Sequence, residues 1–325
     1  MHLDMDAIYA DLARRRFGAP RQEADEIEWL SGLKDGVTLG TPIAFSIRNK
    51  NTRSEDYDQL VDCYRPGHAD YTYQQKYGIR DHRGGGRASA RETVARVVAG
   101  AIAKQILAPI EIHAEVNEEL RIKNEEFSLT DTAGGIVSCR ITGLPAGVGE
   151  PIFNKLNARL AFAMMSIPSA IGFEMGAGFK ATEMKGSEYI DRWNECVNAL
   201  MFECVSKDAP ATQTIKQSNN QTITKTNHCG GIQGGISNGM PVEFRVAFHP
   251  VVSIQQSIDC LREDGSLKSI ILGGRHDTWH VERAAVVVEA MAAITLVNYE
   301  LRMKHPEGEL STLKKKNIVA KNDEL

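Results

Sequence analysis

The stretch "GGIQGGISNGMPVEFRVAFHP" (residues 230–250) decides how this chain is to be read, because its two halves argue for different folds. Taken alone, its glycines have the look of a dinucleotide-binding loop, but that pattern needs a strand before it and a helix after it. Here Asn238 and Gly239 make a turn that leads into a strand. In that strand Val242, Phe244, Val246 and Phe248 alternate with Glu243, Arg245, Ala247 and His249, and a period of two marks a half-buried strand of an antiparallel sheet. The glycines keep one use, which is to let a flat or phosphorylated ligand approach the backbone.

Working outward, residues 3–16 space Met5, Ile8, Tyr9 and Leu12 as one helical face. That helix ends in Arg14, Arg15 and Arg16 before Gly18, a pattern that a helix dipole and a C-cap also explain. Short apolar runs broken by Gly and Asp-Gly signals predict a meander of strands over residues 26–49. Val94, Val97, Val98, Ala101, Ile102 and Ile106 predict a helix over residues 90–107. Residues 111–129 and 134–145 read as strands, residues 151–170 as a helix ending at Pro168, and residues 281–303 as a long, largely buried helix. Strands and helices alternate without regular βαβ spacing, so the class is α+β, a layered sandwich. A single domain is expected over residues 1–303. The Thr-, Gln- and Asn-rich insert at 193–225 is expected to form a flexible flap, and the lysine-rich residues 304–325 a disordered tail.

Bulk properties narrow the function. A chain of 325 residues with 42% hydrophobic and 25% charged residues can bury a large core. Its formal net charge of −4 argues against a general nucleic-acid binder. Six scattered cysteines without a C-x-x-C pair indicate neither a zinc cluster nor a disulfide framework, and fit a reducing compartment. The first residues lack the apolar core of a signal peptide, and no apolar run reaches membrane-spanning length, so a cytoplasmic protein is expected, with no membrane and no nucleic acid among its partners.

Positive charge concentrates in "RDHRGGGRASARE" (residues 80–92). Ser89 and Glu92 have the spacing of a capping box at the start of the helix over residues 90–107. Free backbone N–H groups there face bare glycine backbone, and Arg80, Arg83, Arg87 and Arg91 add planar donors for carboxylate or phosphate. A multiply anionic small ligand fits this arrangement better than solvated arginines do. Just upstream, Arg65 and His68 stand in "YRPGHADYTYQQKYG" (residues 64–78), where the surrounding positive charge readies the histidine to serve an anion as donor or acid. Near the end, His276-Asp277-x-x-His280 imitates a zinc-binding helix motif, but two glycines precede it and the helical pattern starts only near Val281. No metal is expected, and Asp277 between Arg275, His276 and His280 is the better candidate for a proton acceptor.

Three blocks, "YRPGHADYTYQQKYGIRDHRGGGRASARE" (64–92), "GGIQGGISNGMPVEFRVAFHP" (230–250) and "GGRHDTWHVERAAVVVEAMAA" (273–293), resemble in order the signatures of the chorismate synthase family. "AGVGEPIFNKLNARLAFAMMSIPSA" (146–170) and "RRRFG" (14–18) resemble further blocks of it. The resemblance implies a sandwich of antiparallel β-sheets around a helical core, assembled as a homotetramer. It also implies a carbon–oxygen lyase that converts 5-enolpyruvylshikimate-3-phosphate to chorismate and phosphate with reduced FMN. Some members reduce their own flavin with NADPH.

By the same resemblance Arg15, Arg65, Ala90, Arg91 and Arg275 face the substrate. His68 donates a proton to the flavin, and Asp277 takes one from the substrate carbon. Arg87, Ala88, Ser89, Ser169, Ala170, Gly234, His249, Pro250, Val251, Val252, Ser253 and Arg275 contact FMN.

Several positions depart from the family pattern. Its N-terminal glycine-glutamate-serine-histidine-glycine block, with a second catalytic histidine, has no counterpart in this sequence. An arginine usual between Gly18 and Arg21 is missing, Ala88 replaces a frequent serine, and His249 a frequent lysine. Thr278, Trp279, His280 and Glu282 replace the usual proline and cysteine context. Two other classes remain as alternatives: a metal-dependent hydrolase using His276 and His280, and a polyanion-binding module using the arginines of residues 80–91.

Overall fold

The computed structural model of the chain describes residues 1–18, 24–50, 54–83, 86–117, 131–194, 223–272 and 279–304. Its N-terminal third runs α1 (Met5–Arg16), β1 (Ile27–Ser31), β2 (Leu33–Lys34), β3 (Val37–Thr38), β4 (Ala44–Ile47), β5 (Cys63–Tyr64), α2 (Asp70–Tyr77) and α3 (Thr93–Leu107). There follow β6 (Glu111–Val116), β7 (Gly135–Thr142), α4 (Leu156–Met165), β8 (Ala170–Met175), β9 (Ile232–Gln233) and β10 (Ile236–Ser237). The last elements are β11 (Val242–Phe248), β12 (Ser257–Arg262), β13 (Leu267–Ile271) and α5 (Val281–Lys304).

The strand that decides the class lies inside the largest sheet. β11 is antiparallel to both neighbours, pairing Phe244 with Cys139 of β7 and with Met175 of β8, in the order β6-β7-β11-β8. Val242, Phe244, Val246 and Phe248 are buried, while Glu243, Arg245 and Ala247 lie on the other face and are partly exposed, so the period-two reading holds residue by residue. Arg140 pairs with Glu243 at 3.0 Å and Arg245 with Glu174 at 2.7 Å across neighbouring strands on that outer face.

The buried face meets a layer of helices. Val97, Val98 and Ala101 of α3, Ile8 and Leu12 of α1, Leu156, Leu160 and Met164 of α4, and Val288, Ala292 and Leu296 of α5 join Val137, Ile141 and Val246 of the sheet in one core. Each fully buried leucine there contributes about 1.5–3 kcal/mol of hydrophobic transfer free energy. Ile27, Trp29, Leu33, Phe45 and Ile47 of the N-terminal strands pack against the same core. A smaller sheet, β13-β12-β5, carries its own cluster of Leu60, Cys63, Cys260, Ile270 and Leu272. The architecture is α+β with antiparallel sheets about a helical layer, as expected.

The helix expected from residue 90 begins later. Ala90–Glu92 form a 3-10 turn and α3 starts at Thr93. Ser89 does cap, accepting from the Arg91 N–H at 3.3 Å, but the Glu92 carboxylate turns forward to Arg96 at 3.0 Å and does not close a capping box. A guanidinium one turn ahead competes for the carboxylate more strongly than a neutral amide does. Most of the expected insert at 193–225 (residues 195–222), the residues beyond 304 and those at 118–130 lie outside the described residues. At the insert's edge Trp193 and Thr224 form an isolated antiparallel bridge.

Candidate active site

The first group of predicted residues forms where β5 leaves the small sheet. Cys63 and Tyr64 pair with Arg262 and Leu261 of β12, and Pro66 and Gly67, the latter at φ 71°, then reverse the chain into α2. This reversal places Arg65, His68 and the first residue of α2, Asp70, together. Arg65, 6% exposed, donates from Nε to Asp70 Oδ2 at 2.8 Å, from Nη2 to Asp70 Oδ1 at 3.1 Å and from Nη1 to Ser253 Oγ at 3.3 Å. His68 Nδ1 lies 2.8 Å from Asp70 Oδ1, and Arg65 Nη2 lies 3.0 Å from each ring nitrogen. Burial pushes the Asp70 carboxyl up, but the hydrogen bonds from His68 and Arg65 outweigh it and hold that carboxyl far below the usual carboxylate range. Asp70 is therefore a buried anion at neutral pH. Val252 lies against the Gly67 backbone, where a Cβ would stand 3.0 Å from Val252 Cγ1. His68, Arg65, Val252 and Ser253 thus share one locality.

A second group lies where β8 starts and β11 ends. Ser169 takes φ 67°, a left-handed conformation that serine adopts at a cost of about 1–3 kcal/mol. Its carbonyl accepts from the His249 N–H at 3.0 Å, and its hydroxyl lies 2.7 Å from His280 Nε2. His280, part of the suspected zinc motif, is engaged there, with its ring edge-on to Phe248 at 6.3 Å. Among the described residues no group of three His, Cys, Asp or Glu could hold a metal ion. Pro250 lies on Gly134, and the Val251 carbonyl accepts from Thr132 Oγ1 at 2.7 Å. The segment from His249 to Ser253 thereby links this group to the first.

The third group surrounds a carboxylate that sequence reasoning missed. Asp25, its side chain fully buried, lies 3.6 Å from Arg15 Nη1, 3.4 Å from Arg91 Nη1 and 3.9 Å from Arg16 Nε. Arg15 also donates to Thr93 Oγ1 at 3.2 Å and to the Arg91 carbonyl at 3.3 Å. Arg87, Ala88 and Ser89 lead into this group along a 3-10 turn and its following cap, with Ala90 next in line.

Its neighbours have other work. Arg14 makes a bidentate pair with buried Glu289, 2.7 Å on each arm. Arg80 donates to the Leu60 and Cys63 carbonyls and stacks 4.9 Å over the Tyr64 ring, and Arg83 pairs with Asp81 at 3.2 Å. The dense arginine run is thus divided between folding and ligand-ready positions, as its sequence spacing does not reveal.

Gly234 sits in the β9–β10 turn, held against residues 147–156 by the Leu156 N–H to Gly235 carbonyl bond at 2.8 Å. A Cβ on Gly234 would meet nothing within 4 Å, whereas one on Gly231 would reach the Pro241 carbonyl at 2.4 Å. Gly231 is needed for backbone packing, and Gly234 leaves its surroundings open. Arg275, His276 and Asp277 lie outside the described residues. Asp25 carries no local sequence signal, while Asp70 stands two residues after His68 at a helix start, a signal that was present.

Fold and donors together define the class: an α+β sandwich whose guanidinium, imidazole and hydroxyl groups suit a small, multiply anionic ligand. The chorismate synthase family model matches residues 1–128 and 120–301. Chorismate synthases of Cytophaga hutchinsonii (43% identical, covering 94% of this chain and 90% of the relative) and Porphyromonas gingivalis (41% identical, 97% and 91%) are among its relatives. A crystal structure of a chorismate synthase, 28% identical, superposes with a TM-score of 0.62 over 98% of this chain and 89% of that one. The chain belongs to the chorismate synthase family, and with it to the carbon–oxygen lyases acting on phosphates. No helix among the described residues is long and apolar enough to cross a membrane.

Proposed function

We propose that this chain eliminates phosphate from 5-enolpyruvylshikimate-3-phosphate, with reduced FMN bound, to give chorismate. The observation that carries the reading is the Arg65, His68 and Ser253 network. These are the residues that the family resemblance assigns to substrate, proton donation and flavin: buried Asp70 holds Arg65 and His68, and Arg65 in turn holds Ser253.

The residues present fit a flavin mononucleotide. Ser169 and Ser253 offer hydroxyls, Arg87 a guanidinium and the segment from His249 to Ser253 a run of backbone. Trp279 Nε1 is buried and has no hydrogen-bond acceptor among the described residues. When bound, the reduced flavin supplies an electron-rich partner to a reaction whose substrate and product stand at one oxidation level.

This chain's own groups do the rest. Arg15, Arg65, Arg91 and Arg275 hold the two carboxylates and the phosphate, and the same cations stabilise charge as phosphate departs. The donors of Arg15 and Arg91 are already ordered by Asp25 and those of Arg65 by Asp70, so little is lost in arranging them at the moment of reaction. His68 holds the proton that reaches the flavin, Asp277 accepts the proton lost from the substrate carbon, and Ala90 is the position that the family resemblance turns toward the substrate.

An anaerobic assay with 5-enolpyruvylshikimate-3-phosphate and dithionite-reduced FMN tests this, with chorismate and phosphate expected in equal amounts. Absence of both products, with neither ligand bound, would overturn it. Replacing dithionite by NADPH reads out whether the chain reduces its own flavin. The exposed side chains of Phe153, Phe162, Phe179 and Ile171 favour the family's homotetramer, which sedimentation checks.

A further inference from the structure

We propose that Asp70 is a positioning residue for the reaction: it fixes His68 as the Nδ1–H tautomer and supplies the negative charge that lets a protonated imidazole stand beside Arg65. The inference deepens the function proposed above and rests on its assignment of His68.

The geometry leaves few arrangements. Asp70 is 4% exposed, and its two oxygens meet four donors: Oδ2 takes the Arg65 backbone N–H at 3.3 Å and Nε at 2.8 Å, while Oδ1 takes Nη2 at 3.1 Å and faces His68 Nδ1 at 2.8 Å. A carboxylate so placed only accepts, so His68 Nδ1 must carry its hydrogen. Arg65 only donates, and its Nη2 is 3.0 Å from both ring nitrogens; with the Nδ1 hydrogen committed to Asp70 Oδ1 at 2.8 Å, Nε2 is the one left to accept in the neutral ring. The tautomer therefore follows from its two neighbours.

The same contacts matter when the ring is charged. A second proton on His68 faces the Arg65 guanidinium at once, and in a partly buried site two cations at that distance repel strongly. Asp70 touches both, so the three groups together carry one net positive charge where two would otherwise stand. Ser253 Oγ on Nη1 completes the guanidinium's ring of acceptors without adding charge. No other acidic group touches His68 or Arg65 among the described residues.

An amide cannot replace Asp70. If its oxygen keeps the Arg65 Nε and backbone donors, its NH2 faces His68 Nδ1, which must then become an acceptor, and the ring moves to the Nε2–H form. Such an exchange beside a working imidazole leaves the wrong tautomer and costs several powers of ten in kcat.

The test joins a spectrum to kinetics. In protein labelled with 15N at histidine, with His68 assigned by difference from His68→Gln and the ring titrated to its neutral form, the wild type is expected to show Nδ1 protonated and Nε2 bare. Asp70→Asn is expected to reverse this and to lower kcat at least 100-fold with KM changed less than tenfold, and Asp70→Glu to restore part of the rate. A wild-type Nε2–H tautomer would overturn the proposal even if Asp70→Asn fails to fold. So would Asp70→Asn turning over at the wild-type rate while His68→Ala is inactive. Wild-type turnover by His68→Ala is a different result: it removes His68 from the chemistry and sinks the functional reading, while the tautomer is still decided by the spectrum.

Discussion

Gly100 of α3 lies directly against Ala290 of α5, so close that a Cβ on Gly100 would stand 2.3 Å from both the Cα and the Cβ of Ala290. This contact sets the crossing of the two most closely packed helices and, through α5, the place of the helical layer on the sheet. Gly100→Ala is expected to cost roughly 1–3 kcal/mol or more, since backbone must move to admit the methyl group. Urea unfolding measures it, and an unchanged midpoint would contradict the packing described.

Neighbouring arginines of α1 should fail in different ways. Arg14→Ala leaves Glu289, 1% exposed, with one partner fewer and is expected to lower stability by about 1–3 kcal/mol while leaving KM near its original value. Arg15→Ala should raise the substrate KM by about 10- to 100-fold, the worth of a charge-assisted hydrogen bond, with a smaller effect on unfolding. Paired unfolding and steady-state measurements separate the two, and identical profiles would refute the division.

Acid should act partly through Glu289. Burial pushes this carboxyl up, but hydrogen bonds from Arg14 and Lys104 at 2.6–2.7 Å prevail and lower it below its ordinary 4.5. A group lowered in the folded state stabilises above its unfolded value and loses that contribution as pH falls toward the folded one. The stability of Glu289→Gln should therefore change less than that of the wild type as pH falls below about 4.5. Equal slopes, in denaturant titrations across that range, would exclude Glu289 as a source.

Ser169 combines a left-handed backbone with a hydroxyl 2.7 Å from His280. Ser169→Gly relieves the backbone and removes the hydroxyl, whereas Ser169→Ala removes the hydroxyl alone. Both are expected to weaken FMN binding about tenfold, the worth of one hydrogen bond, with Gly the more stable of the pair. Fluorescence titration with FMN and thermal unfolding report the two quantities.

Asp277→Asn should bind substrate and FMN about as the wild type does, yet turn over at least 100-fold more slowly, because an amide cannot take up the substrate's proton. Wild-type turnover would remove Asp277 from the mechanism.

The legible part of the molecule is the part governed by local spacing. The alternation from Val242 to Phe248 and the helical spacing in α1, α3 and α5 show in the sequence, because burial on one face imposes a period that the residues themselves display. The signature blocks likewise identify the family without coordinates. Local spacing misled at residues 90–92, where Arg96 takes the Glu92 carboxylate from the cap, and at residues 151–170, where the expected helix shrinks to Leu156–Met165, a 3-10 turn precedes it and Ala170 already begins β8.

What each charged residue does was decided elsewhere. Arg14, Arg15 and Arg16 are adjacent and chemically alike, yet successive helical residues point about 100° apart and so meet different partners. Arg14 meets Glu289, 275 residues away; Arg15 meets Thr93, 78 residues away; and Arg16 meets the Ala24 carbonyl, while Arg15 and Arg16 both reach Asp25. Asp25 and Glu289 became visible only when the chain brought them to the arginines. A sequence records which charges a protein carries and the period on which they fall, while the pairing of charges depends on distances of a few ångströms between segments far apart in the chain, and only the folded structure sets those.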